Sequence, residues 1–174
     1  MNTQKFFDII EARSNENKKA LELLVEAKCY ALVGAIIRME LDSFIRTYHF
    51  SSCTSTQQQA ILQKFFSGEK WSMRDADMIA RMSQSIGWTE HIYKFCNAFI
   101  HLSPFHDWAT SSQIPNLTQQ TRQFIAKDIN AQQYDKSVTI SENFGFEELI
   151  HFAPHIFEKL RSNLLYEMNR NETH

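Results

Sequence analysis

Apolar positions recur along this chain at helical rather than alternating spacing. Phe6, Phe7, Ile9 and Ile10 mark a short first helix, and Ser14-Asn15-Glu16-Asn17 then supplies cap-forming residues before a much longer pattern. From Lys18 to about His49 there is no Pro and no Gly except Gly34. Leu21, Leu24, Val25, Leu32, Ile36 and Met39 keep one register there. Within it, Cys29 to Ile37 carries no charge, as a helix enclosed on every side would, so this segment is expected to be the buried central helix.

Thr54-Ser55-Thr56-Gln57 has the form of a capping box, and Ile61, Leu62, Phe65 and Phe66 follow as an apolar face closed by Gly68. Ser72-Met73-Arg74-Asp75 repeats the signal, with Met78, Ile79 and Met82 on one face and Gly87 as the stop. Thr89 is placed to cap a fifth segment whose stripe is Ile92, Phe95, Cys96 and Phe99. Pro104 disfavours helical geometry at Ser103, so this helix should end near His101 or Leu102. Residues 103–115 read as an aromatic loop, and Asn116 is placed to cap a helix running to about Asn130. Residues 131–143 read as a polar loop. A last helix from about Phe146 keeps Leu149, Ala153, Ile156, Phe157, Leu160 and Leu164 in register, with Pro154 expected to kink it.

Composition sharpens this picture. With 4 Gly and 3 Pro in 174 residues, the chain lacks the turn formers a strand-rich fold would need. The expectation is an all-α, single-domain helical bundle over residues 1–174, built from six to seven helices around a long buried central one. A formal charge of −2 removes the whole-chain basic footprint of a duplex-binding protein while leaving room for a local basic patch. Cys29, Cys53 and Cys96 stand far apart without metal-ligand spacing and are expected to be buried free thiols of a reducing cytoplasm. No signal peptide opens the sequence, and no apolar run approaches the length needed to span a bilayer, so a cytoplasmic protein with no membrane partner is expected.

Reactive side chains concentrate in Lys94-Phe-Cys-Asn97-Ala-Phe-Ile-His101-Leu-Ser-Pro-Phe-His106, where Lys94, Asn97 and His101 share one helix face. A histidine in the last turn of a helix meets the negative end of the macrodipole, which favours the imidazolium and suits general acid or base work. In the same position it can equally do no more than bond free carbonyls. The helical pattern through Tyr30 to Tyr48, followed by Asn97-Ala-Phe-Ile-His101, resembles a HEPN-type helical domain over roughly residues 29–108. The resemblance implies a homodimer that joins two Arg-Asn-x-x-x-His motifs to cut RNA without metal or other cofactor, in toxin-antitoxin, phage-defence or mobile-element settings. It also implies that His acts on the 2′-hydroxyl and Arg on the scissile phosphate.

Asn97 and His101 match that motif, but Cys96 stands at the arginine position and cannot supply a bidentate charge to phosphate. Lys94 and Arg38 are the candidate replacements, with His106 as a further site residue. Arg38, Glu40 and Asp42 interrupt an apolar segment, and an Arg38–Asp42 ion pair at i, i+4 is the plain structural expectation. The sharper one has Arg38 pointing into a polar pocket shared with His101. Trp88, Tyr93, Phe105 and Trp108 lie near enough to stack on single-stranded RNA, or to pack. Two alternatives remain: a non-catalytic protein that binds a cognate partner, and a metal site on Glu147, His151 and His155, where Glu148-Leu-Ile-His151 forms a single Glu-x-x-His unit.

Overall fold

A computed structural model describes residues 3–100, 117–132 and 139–172. Among them seven helices follow in order: α1 (Thr3–Glu26), α2 (Tyr30–Ser51), α3 (Ser55–Ser67), α4 (Asp75–Met82), α5 (Trp88–Ile100), α6 (Gln119–Gln132) and α7 (Phe146–Glu172). The all-α architecture expected from the scarcity of Gly and Pro is the one observed. No helix among the described residues is long and apolar enough to cross a membrane.

Helix α1 does not stop at Ser14–Asn17. Phe6, Phe7, Ile10, Ser14, Asn17 and Leu21 are all buried and fall on a single face, so the two polar residues point into the protein instead of back onto the backbone. Their partner is Glu40 of α2, which is wholly buried. Ser14 donates to its Oε1 at 2.5 Å and Asn17 Nδ2 to its Oε2 at 3.0 Å, while Arg161 Nε of α7 donates to the Ser14 hydroxyl at 3.2 Å. The expected cap is therefore a buried polar link between three helices.

The break falls instead inside the long pattern, at Ala27–Cys29. Lys28 takes a left-handed φ of 52°, its N–H bonds the Val25 carbonyl, and the Cys29 N–H bonds the Leu24 carbonyl. This pair of bonds is a Schellman closure with lysine where glycine is usual. Helix α3 closes in the same way through Gly68, and its start carries the reciprocal Thr54–Gln57 capping box read from sequence. Helix α4 departs from expectation at both ends: it starts after Arg74 without a side-chain cap and stops at Met82. Ser72 instead accepts a hydrogen bond from Lys64 Nζ at 2.8 Å. Likewise, Thr89 lies inside α5 with its hydroxyl bonded to the Ile86 carbonyl at 2.7 Å. The expected cap Asn116 lies outside the described residues, and Thr118 accepts from the Thr121 N–H at the start of α6.

Helix α2 is the centre of the bundle, packed against α1, α3, α4, α5 and α7. The uncharged run from Cys29 to Ile37 is not enclosed on every side: Val33, Gly34 and Ile37 are buried but Leu32 is 54% exposed, and the burial continues beyond the run through Leu41, Phe44, Ile45 and Phe50. The uncharged run instead lines one side of an apolar groove completed by Ile92 and Phe95 of α5 and Leu149 and Ala153 of α7. At the α2 C-terminal end, Phe6, Phe7 and Phe50 meet at ring centroid distances of 5.2, 5.6 and 5.7 Å. Helix α7 continues through Pro154 and packs Phe152, Phe157, Leu160 and Leu164 into the core.

Candidate functional site

Arg38 and Asn97, far apart in sequence, meet in the structure. Both placements follow from helix register: Arg38 lies one residue after buried Ile37 on α2, and Asn97 one residue after buried Cys96 on α5. Arg38 Nε donates to Asn97 Oδ1 at 3.0 Å, and its guanidinium lies over the Tyr93 ring, 4.5 Å from the centroid. Asp75, the first residue of α4, receives Nη2 at 3.5 Å. The expected Arg38–Asp42 pair is present as the longest of these polar contacts, at 4.0 Å.

Asp42 is held more closely by other groups, Arg46 Nε at 2.9 Å and Arg13 Nη1 at 3.3 Å. Asp75 also takes Arg46 Nη2 at 2.7 Å. Three guanidinium groups thus converge on two carboxylates, with the Arg38 side chain only 9% exposed. This count leaves one guanidinium charge unbalanced, partly screened by water because the other side chains of the cluster are 20–37% exposed.

Lys94, the other candidate replacement, does not join the cluster. Its ammonium pairs with Glu90 at 2.7 Å. That i, i+4 bridge is largely solvated and holds little energy. Cys96 is wholly buried, and desolvation pushes its thiol up to about 12 against the opposing pull of the Arg38 charge. It is a neutral packing residue beside the arginine. His101 and His106 lie outside the described residues, as do Phe105 and Trp108.

Arg13, Arg46, Asp75 and Tyr93 complete the cluster; sequence alone put Tyr93 near the site as an aromatic and assigned none of the other three. One signal was available: Arg38, Asp42 and Arg46 fall at i, i+4 and i+8, a charged stripe along an otherwise apolar helix. Asp75 had a local explanation as a helix-start residue, which concealed its long-range one.

The residues of the metal alternative have other contacts. Glu147 faces Lys28 at 3.5 Å and accepts from the Tyr30 hydroxyl at 3.3 Å. Glu148 accepts from the Gly145 N–H at 2.6 Å, closing the start of α7. His151 is exposed with its ring against the edge of Phe152. Among the described residues no three His, Cys, Asp or Glu side chains converge to hold a metal ion. No family model, curated protein or solved structure matches the chain.

Proposed function

We propose that this chain is a HEPN-like helical protein that acts on single-stranded RNA as a homodimer, in a defence, toxin-antitoxin or mobile-element setting. The observation that carries this reading is the 3.0 Å hydrogen bond from Arg38 Nε to Asn97. It puts a guanidinium beside the asparagine of the Asn97–His101 segment, and so supplies from α2 the cation that Cys96 does not. Nε makes the one short bond, and the long contacts of Nη1 and Nη2, at 4.0 and 3.5 Å, leave donor capacity on those nitrogens for a phosphate oxygen. In this mechanism His101 takes the 2′-hydroxyl proton, the freed oxygen bonds the adjacent phosphorus to form the 2′,3′-cyclic phosphate, and the P–O5′ bond breaks, the 5′-oxygen taking a proton from water. Arg38 stabilises the charge that builds on the phosphate.

The test is incubation of single-stranded RNA with the protein in EDTA, beside His101→Ala and Arg38→Gln, with products analysed for a 2′,3′-cyclic phosphate end. Cleavage by the wild type and not by His101→Ala supports the reading. No cleavage, or equal cleavage by wild type and His101→Ala, overturns it. A second reading, a non-catalytic protein that binds a cognate partner, is favoured by the burial of Arg38 among Asp42, Asp75 and Tyr93, which suits a structural guanidinium as well. It expects no RNA product from any of these proteins.

A further inference from the structure

A separate cleft of about 750 Å³ lies between the C-terminal turns of α2, helix α3 and helix α4. That volume is within the roughly 300–1,000 Å³ of small-molecule sites. Its floor is apolar, from Ile61 and Met78, and its wall is aromatic, from Tyr48, His49 and Trp71. The Trp71 ring is fixed in place by the Arg46 guanidinium at 5.0 Å and by Phe6 and His49, each at 6.3 Å.

Its mouth is cationic. Arg81 makes no side-chain hydrogen bond or ion pair to a described residue, although Asp77 stands one helical turn before it. Both Asp77 oxygens are engaged by Arg74, at 2.9 and 3.1 Å. Arg46, which lies on the Trp71 ring, is already paired with Asp42 and Asp75, so Arg81 is the cation left for a ligand. Gln57 is spent on its acceptor side, because Oε1 takes the Thr54 N–H and hydroxyl of the capping box, so toward the cleft it offers its amide hydrogens. His49 is held neutral at pH 7, its pKa lowered by burial and then by Arg81 and Arg46, so its ring can accept or donate one hydrogen bond.

An aromatic wall, an uncommitted guanidinium and an amide donor select for a flat ring carrying an anionic group. The geometry points to a nucleotide site, with the base packed against His49 and Trp71 and the phosphate on Arg81. The site stands independently of the ribonuclease reading. The source of the nucleotide is either a free mononucleotide or one residue of an RNA strand.

The site is tested on the full chain with AMP, adenosine, inorganic phosphate and a short oligoadenylate as probes, following tryptophan fluorescence and the alkylation of Cys53. Cys53 lines the same cleft, with its sulfur 3.9 Å from His49 Nε2. AMP or the oligonucleotide should bind and slow Cys53 alkylation, and Arg81→Gln should weaken that binding roughly tenfold. Adenosine and phosphate alone should each bind weaker than AMP by at least about the same factor. Arg81 is exposed, so its substitution leaves the fold intact. Trp71→Leu, checked by circular dichroism, supplies the aromatic half of the test.

Protection by AMP places a free nucleotide in the cleft, and protection by the oligonucleotide alone places a strand there. Phosphate binding as well as AMP would overturn the nucleotide assignment. So would the absence of AMP and oligonucleotide binding at millimolar concentration. Oligonucleotide binding indifferent to Arg81→Gln, with Cys53 unprotected, overturns this site and leaves the RNA reading standing. AMP protection without RNA cleavage upholds the site and sinks the ribonuclease.

Discussion

Removing Arg38 measures whether the α2–α5 contact exists in solution and how much it holds. In Arg38→Met the side chain keeps much of its length and loses its charge. The lost bond to Asn97 comes from a charged donor and is worth about 1.5–3 kcal/mol. The lost contact with the Tyr93 face adds about 0.5 to about 2 kcal/mol. Against this, a buried guanidinium no longer has to be desolvated, and Arg46 and Arg13 still hold Asp42 and Asp75, so no carboxylate is stranded. The net expectation is a loss of about 2–4 kcal/mol, which for a chain of this size lowers the melting temperature by roughly 10 °C. Urea denaturation of wild type, Arg38→Met, Asn97→Ala and the double variant closes a cycle whose coupling energy should be about 1–3 kcal/mol at unchanged slope. Arg38→Lys should lose nearly as much as Arg38→Met, since an ammonium cannot place a donor at Nε and another charge on Asp75 together. A coupling below about 0.5 kcal/mol would refute the contact, and with it the observation that carries the RNA reading.

Three further outcomes are expected. Glu40→Ala should cost about 3–5 kcal/mol in urea, because Ser14 and Asn17 lose a buried acceptor, while Glu40→Gln should retain about half of that; a Glu40→Ala protein within about 1 kcal/mol of wild type would contradict the three-helix link. Cys96 should resist alkylation in the native protein and react after unfolding, as mass spectrometry of the labelled peptides will show. Its folded pKa lies at about 12 against an ordinary 9.0, so the unfolded state releases its proton first. Stability should therefore fall by about 1.4 kcal/mol per pH unit as the pH rises from the ordinary value toward the folded one. A Cys96→Ala variant should show a shallower alkaline decline. His49 and His91 both have folded pKa values below the ordinary 6.5, mainly through burial, so the stability they provide is complete above that value and is lost as pH falls beneath it. Thermal melts from neutral to mildly acid pH should decline less steeply in His49→Gln, and equal slopes would refute the burial of that ring.

Which features could be read from sequence depended on how far the deciding partner lay along the chain. The Thr54–Gln57 box and the Gly68 stop were legible because their chemistry is complete within a few residues. The polar run at Ser14–Asn17 carried the same letters as a cap, yet its partner Glu40 lies on the next helix, and tertiary hydrogen bonding overrode the local preference. At Lys28 the chain turns through a left-handed conformation that lysine seldom adopts, so no glycine marked the end of α1. Arg38 and Asn97 were both singled out for their chemistry. Their meeting needed the packing of α2 against α5, and the shared partner Asp75 needed α4 as well.

The two candidate regions share a scaffold. Asn97 bonds Arg38, Arg38 and Arg46 both reach Asp75, and Arg46 lies on the Trp71 ring that walls the nucleotide cleft. A substitution anywhere along this line changes the cost of burying the others, since three cations are balanced against Asp42 and Asp75 in a partly desolvated cluster. Loss of function in an Arg38, Asp75 or Arg46 variant therefore does not by itself distinguish a reacting group from a structural one. Arg81 is outside that line: it is an exposed residue of α4 and has no ion pair to a described residue. A defect in Arg81→Gln consequently reports on ligand binding, whereas the Arg38–Asn97 cycle reports on the scaffold. The cleavage chemistry needs a third variant, His101→Ala, read by the ends of the RNA products and not by stability.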